Sequence, residues 1–212
     1  MYETADRLIA LLDKKLKRYI NRLDVTGFSE LNALTIQNET TELIKKLLKD
    51  NEEAFRKIAE DAVAEAATDI ENLTGEKAAL VAVSSKYVDE ILKQYNEITD
   101  YLYYPEADRK RSRLSEALIV AVMLRDREKY HNNLRKFASL WHTQTVQYEI
   151  TVTDETRTDV FKKNGIRKVK WNAEHDEKTC KVCRERDGQI YPIDKVPAKP
   201  HYNCRCWLTP VK

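Results

Sequence analysis

Cys180-Lys181-Val182-Cys183, followed by His201-Tyr202-Asn203-Cys204-Arg205-Cys206, contains every cysteine of a 212-residue chain. The 179 residues before it have none, so the clustering asks for a local cause. A two-residue gap lets two thiolates bind one tetrahedral ion, and His201 and Cys204 repeat that gap with an imidazole in place of one sulfur. Cys206 adds a fifth candidate for four positions. Cys180, Cys183, His201 and Cys204 form the favoured set, with Cys206 as the main substitute: if 204–206 is extended, the two sulfurs share a face. Zinc is the expected ion, in a structural role. A segment this short buries little apolar surface, so metal binding would supply much of its folding free energy. Two disulfides or unpaired thiols are the competing readings. The N-terminus, Met1-Tyr2-Glu3-Thr4-Ala5-Asp6, is acidic and lacks a basic flank before an apolar run. No secretory leader is therefore expected, and a reducing compartment disfavours disulfides.

Outward from the cysteines, the period is that of strands. Ile166, Lys168 and Lys170 alternate with Arg167, Val169 and Trp171. Gly188-Gln189-Ile190-Tyr191-Pro192 and Cys206-Trp207-Leu208-Thr209 suit two more short strands. Four of the five prolines fall in the last 21 residues, which marks a turn-rich module. Trp171 and Trp207 are its expected mini-core, because few other large apolar residues are available. Asn164-Gly165 is a helix C-cap pair, and upstream of it the period becomes helical.

Leu8, Leu12, Leu16, Tyr19 and Leu23 predict an amphipathic first helix, broken at Gly27-Phe28-Ser29. Thr40-Thr41-Glu42 offers N-cap chemistry for a second helix with a stripe through Ile44, Leu48, Phe55, Ile58, Ala62 and Ala66. A third stripe runs Leu80, Ala82, Tyr87, Ile91, Tyr95 and Ile98, followed by a turn at Tyr104-Pro105. The run Leu114–Leu124 reads as a helix buried nearly all round. The pattern continues through Leu134, Phe137, Trp141, Thr145 and Tyr148 into the β-branched, polar segment Ile150–Thr158, where helix propensity is weakest. The expected fold is mainly α: an elongated multi-helix body with a small C-terminal α+β zinc-knuckle module. Its divisions are a helical N-terminal region 1–105, a long helical region 106–164 and a β-rich zinc-binding module 165–212.

Composition agrees with that class. Charged residues make up 34% of the chain and Gly plus Pro only 9 positions, leaving little turn chemistry for many short strands. The longest apolar run, Ala117–Leu124, has eight residues, far below the ~18–20 of a spanning helix, so no membrane span is expected. The net charge of +2 is uneven: residues 1–105 hold 14 Lys/Arg against 20 Asp/Glu, and residues 106–170 hold 15 against 9. The basic middle, with Arg109, Lys110, Arg111 and Arg113, together with Arg205 between two cysteines, offers candidate contacts to a partner or to phosphate.

Catalysis fits less well. His175-Asp176-Glu177 ahead of Cys180 resembles a deaminase His-x-Glu, but that chemistry places the two elements on separate helices. Only two residues link Glu177 to Cys180, and no proline precedes that cysteine. Enough ligands are present to close a tetrahedron, whereas a catalytic zinc keeps one position for water. His175 reads as a surface or turn residue, and His131 and His142 as solvent-facing or core-edge. No enzyme activity and no small-molecule substrate are expected. A nucleic-acid-binding zinc knuckle is the alternative function, and a zinc-dependent nuclease or deaminase a more distant one.

Trp171, Asp176, Cys180-Lys181-Val182-Cys183, Asp187-Gly188-Gln189-Ile190-Tyr191 and Pro200-His201-Tyr202-Asn203-Cys204-Arg205-Cys206 together resemble, in order and spacing, the phage Mu F-like head morphogenesis family. The approach Phe161-Lys162-Lys163-Asn164-Gly165-Ile166 into Val169-Lys170-Trp171 is similar to that family's as well. The resemblance covers roughly residues 145–210; Tyr202 departs from it, where the family commonly has proline. It implies a minor head protein of a tailed phage or prophage, acting in capsid assembly at the portal and in genome packaging or ejection. Portal and head proteins would be its partners, with DNA a further candidate. The virion, at the head interior or portal vertex, would be its place, after assembly in the bacterial host cytoplasm.

Overall fold

A computed structural model of the chain describes residues 3–25, 31–78 and 104–212. Five α-helices lie among them: α1 (Glu3–Val25), α2 (Ala33–Thr74), α3 (Tyr104–Met123), α4 (Arg127–Lys163) and the short α5 (Lys181–Arg186). Three strands also lie among the described residues, β1 (Lys168–Asn172), β2 (Ile190–Pro192) and β3 (Trp207–Val211). The helical body with a small C-terminal α+β module is therefore as expected. The third stripe, Leu80 to Ile98, and the break at Gly27-Phe28-Ser29 lie outside the described residues.

Several boundaries differ from the sequence reading, each for a local reason. The second helix begins at Ala33 rather than near Thr40. Asn32 caps it, its Oδ1 accepting the Thr35 amide at 3.0 Å. Thr40 instead sits buried inside the helix, its hydroxyl donating to the Ile36 carbonyl at 2.8 Å and meeting Ser115 Oγ at 2.7 Å. Tyr104-Pro105 is a helix start rather than a turn, since a proline's missing N–H costs nothing in a first turn. Leu114–Leu124 is not buried all round: Leu114, Leu118 and Ala121 are inside, but Met123 is 78% exposed and Leu124 62%. Ile150–Thr158 is helical throughout, as part of α4.

The described residues form two compact units. One joins 6–25 and 31–54 to 104–145 and the other joins 3–5, 55–78 and 146–212, so α2 and α4 each contribute to both. In the all-helical unit, Leu12, Leu16 and Leu23 of α1, Ile36, Leu43, Ile44 and Leu47 of α2, Leu118 of α3 and Tyr130, Leu134 and Trp141 of α4 are buried. Each large side chain contributes roughly 1.5–3 kcal/mol by leaving water. Polar groups register the helices: Asp50 accepts from Lys15 Nζ at 2.7 Å and Tyr19 OH at 2.9 Å, and Asn51 Nδ2 reaches Thr145 Oγ1 at 3.2 Å. Asp13 meets His142 Nδ1 at 2.8 Å, and Asp24 pairs with His131.

The other unit carries the sheet. Val63, Ala66 and Ile70 of α2, Val160 and Phe161 of α4, then Ile166, Val169 and Ile193 form one buried cluster. The sheet order is β2-β1-β3, antiparallel on both sides, with Val169 opposite Tyr191 on one flank and Pro210 on the other. Gly165 makes the passage from α4 into β1: at φ +76 it occupies the left-handed region, while Ile166 N bonds back to Phe161 O at 3.0 Å. Arg157, on the last turns of α4, is buried with only 4% of its side chain exposed. It bonds Glu65 at 3.1 Å and Asp69 besides, and lies 5.5 Å from the Phe161 ring centre.

Candidate metal centre

The central strand positions everything else in the module. Trp171, 2% exposed, points inward from β1 and packs with Ala173, Cys183, Cys204 and Cys206, flanked by Tyr191, Val196 and Leu208. Trp207 is only half-buried on β3, so the expected two-tryptophan core is a one-tryptophan core. Arg186 covers the outer side of Trp171 at 5.2 Å. Gly188, at φ +76, turns the chain so that its amide reaches Trp171 O at 2.8 Å, and Trp171 N answers to Gln189 O at 2.9 Å.

Each donor has a different anchor. Cys180 is the N-cap of α5, and its Sγ accepts the Cys183 amide at 3.4 Å. That amide hydrogen bond draws the Cys180 thiol below its ordinary range, toward the thiolate that ligates metals. Cys183 is on the first turn of α5, almost wholly buried, and burial pushes its thiol well up. Burial does the same to Cys206. Cys204 and Cys206 lie just before β3, whose pairing with β1 fixes where they arrive. His201, exposed, bonds through Nδ1 to the Tyr202 carbonyl at 3.0 Å. That contact places the proton on Nδ1 and leaves the Nε2 lone pair to face the sulfurs.

The five expected ligands meet in two overlapping groups. Ligand atoms of Cys180, Cys183 and His201 all lie within 4.8 Å of one another, and so do those of Cys183, Cys204 and Cys206. Cys183 belongs to both. Its Sγ is 3.5 Å from His201 Nε2 and 3.6 Å from Cys204 Sγ. A tetrahedral ion with ~2.3 Å bonds to sulfur and ~2.0–2.1 Å to nitrogen sets edges of roughly 3.6 Å for sulfur to nitrogen and 3.8 Å for sulfur to sulfur. The two observed edges match, and the donor set is soft. These groups can hold a metal ion.

Residues that the motif reading missed hold the loops in place. Asn203 adopts φ +56, a conformation asparagine tolerates better than most residues, and its amide donates to Gln147 Oε1 at 2.6 Å. Lys199 Nζ donates to the Cys204 carbonyl at 2.9 Å and also pairs with Asp154. Both Gln147 and Asp154 come from α4, far upstream, and nothing in their local sequence marks them. Asp176 accepts the Lys178 amide at 3.1 Å and the Thr179 hydroxyl at 2.8 Å, which holds its carboxyl below the usual range. Arg184 Nε closes this turn on Thr179 O at 2.9 Å. Asp187 receives the Ala173 amide at 2.8 Å and meets His175, itself 81% exposed, at 3.3 Å.

The basic candidates divide between the two units. Arg205 is exposed and borders, with Asp176 and Lys178, a cavity of ≈ 120 Å³ beside the sulfurs. Arg109 and Arg113 are exposed on α3, Arg111 is half-buried beside Gln37 and Thr41, and Lys110 lies 5.2 Å over the Trp141 ring. Among the described residues, no helix is long and apolar enough to cross a membrane.

Residues 116–209 match a family model described as Phage Mu protein F like protein. The matched stretch opens inside α3 and includes α4, all three strands and every candidate ligand. It therefore begins well upstream of residue 145, where the resemblance in sequence motifs starts. Comparison with curated proteins and with solved structures gives no match.

Proposed function

From a chain that is Phage Mu protein F-like over residues 116–209, we propose a minor head protein of a tailed phage or prophage, structural rather than catalytic. In this reading it works in capsid assembly at the portal, and in packaging or ejection of the genome. Its partners are the portal and head proteins, and its place is the virion. One observation carries the structural reading: within the family-matched stretch, Cys183 is shared by two triads of possible metal donors, with Cys180 and His201 on one side and Cys204 and Cys206 on the other. Zinc is the ion these donors suit, held by Cys180, Cys183, His201 and Cys204, with Cys206 the substitute for one of them. When bound, it supplies a closed, non-redox cross-link between the α5 loop and the loop before β3. The chain's own groups do the remaining work. Lys199 and Gln147 fasten the second loop to α4, the Cys183 amide supports the Cys180 thiolate, and Trp171 fills the space beneath.

Two measurements test this reading. Elemental analysis of reductively purified full chain is expected to give one zinc per chain. Co-expression with the portal and head proteins encoded beside it is expected to yield a complex that includes the chain. A metal-free, still folded protein sinks the zinc assignment; heads that assemble and fill identically without the chain sink the assembly role.

A further inference from the structure

From Lys14 onward, helix α1 gathers its exposed cations on one stripe. Its carboxylates at Asp13 and Asp24 turn to His142 and His131 of α4, and Asp50 of α2 is taken by Lys15 and Tyr19. An adjoining solvent-facing stripe exposes Lys14, Lys17, Arg18, Asn21 and Arg22, which together line one shallow hollow. Beside it, Lys46 of α2 lies 5.9 Å over the Tyr19 ring. Positions 14, 18 and 22 recur every four residues, so cations repeat at ~6 Å along a rigid rod.

We propose that this face of α1 is a binding surface for the phosphate backbone of double-stranded nucleic acid, read without regard to sequence. The hollow is open and shallow, which suits the outside of a duplex better than a small enclosed anion. A duplex carries about one negative charge per 1.7 Å of axis, a regular polyanion that meets a regular row of cations, and contact releases its condensed counterions. A lipid surface fits poorly, because Leu12, Leu16 and Leu23, the apolar side such a helix would insert, are buried against the protein. The surface belongs to the all-helical unit and is independent of the metal centre.

The test is a salt titration of duplex binding by the full chain, followed by fluorescence anisotropy of a short mixed-sequence duplex. Each phosphate contact contributes about 0.9 to the slope of log affinity against log salt. The triple variant Lys14→Gln, Lys17→Gln, Arg18→Gln is expected to lower that slope by about 2.7 and to weaken binding at low salt by more than about tenfold. A charge-keeping variant, Lys14→Arg, Lys17→Arg, Arg18→Lys, is expected to bind like the parent, which separates charge loss from misfolding. The exposed pair Lys57→Gln, Lys168→Gln is expected to leave the slope unchanged. No binding by the parent at low salt overturns the proposal, as does an unchanged slope in the triple variant or an equal loss in the Lys57/Lys168 pair. Competition by polyglutamate as effective as that by unlabelled duplex also overturns it, since the surface would then be a generic acidic-protein site.

Discussion

Arg157→Met removes a buried guanidinium and keeps most of the stem that packs on Phe161. Arg157 has 4% of its side chain exposed, while its partners Glu65 and Asp69 are 37% and 31% exposed. A hydrogen bond to a charged group contributes ~1.5–3 kcal/mol, and stripping one partner from a fully buried pair costs ~3–5 kcal/mol. Because water reaches both carboxylates, the loss falls short of the buried limit, and about 2–3 kcal/mol is the expected destabilisation at pH 7.5. For a chain of this size, that lowers the melting temperature by roughly 4–12 °C. The pH dependence gives a sharper check. Burial raises the Glu65 carboxyl above its ordinary value, and Arg157 pulls it back. A raised carboxyl contributes stability that is fully present below the unfolded value and lost as pH rises through the folded one. Removing Arg157 raises it further, so the deficit relative to parent opens as pH climbs from the acid side and is smallest near pH 4. Melts of both proteins at pH 4, 5.5 and 7.5, compared pair by pair, measure this. A deficit under about 1 kcal/mol at pH 7.5, or one of constant size across the series, refutes the account of Arg157 as the charge that holds α4 against α2.

Three further outcomes follow from single sites. Tyr130 is buried, its hydroxyl donating to the Leu23 carbonyl at 3.3 Å, and burial pushes it up to about 12. Its share of stability is therefore intact below pH ~10 and is lost between there and pH ~12, on the order of 2 kcal/mol; Tyr130→Phe flattens that alkaline limb, which denaturant melts record. Gly165→Ala meets no neighbour within 4 Å, so its cost is the left-handed backbone alone, about 1–2 kcal/mol in a chemical melt. A melt within a few tenths of parent argues against the turn as drawn. Chelation is expected to quench or shift Trp171 emission and to loosen the module, and Cys183→Ser to abolish metal content, because Cys183 belongs to both donor groups. Metal bound at full stoichiometry by Cys183→Ser contradicts that central role.

The helical body was legible where periodicity is set by burial. Leu12, Leu16 and Leu23, then Ile44, Phe55, Ile58, Ala62 and Ala66, are inside as their spacing predicts. The errors arose where a side chain's local preference was outvoted. Thr40 looks like a cap, yet its hydroxyl finds the Ile36 carbonyl and Ser115 within the helix, and Asn32 does the capping. The polar, β-branched run from Ile150 to Thr158 has poor helix propensity, but Ile150, Val152, Thr153, Thr156 and Arg157 are all buried there. The partners of Arg157 come from α2, more than eighty residues earlier, and no window of local sequence holds them both. The exposed end of the Leu114–Leu124 run shows the converse: a continuous apolar stretch specifies a helix without saying how many of its sides are covered.

The gathering of the donors was legible because metal geometry imposes a spacing, and a two-residue gap is a statement about bond lengths that a sequence can carry. The supports around it carry no such rule. Lys199 and Asn203 are fastened to Asp154 and Gln147 of α4, and those contacts exist only because Gly165 turns the chain and Trp171 brings β1 under the sulfurs. The same dependence bears on the five-donor question. Cys204 and Cys206 both pack in the Trp171 cluster, but Cys204 is the one whose carbonyl Lys199 holds and whose Sγ stands 3.6 Å from Cys183, whereas Cys206 sits directly before β3. Substituting Lys199 by Met should therefore free the Cys204 loop and let Cys206 compete for the ion, with zinc retained but held less tightly. Second-sphere losses of this kind typically cost about 10–100-fold in metal affinity. In the Lys199→Met background, Cys206→Ser should then cost more zinc affinity than it does in the parent, and equal losses in the two backgrounds would refute the link between the Lys199 anchor and the choice of sulfur.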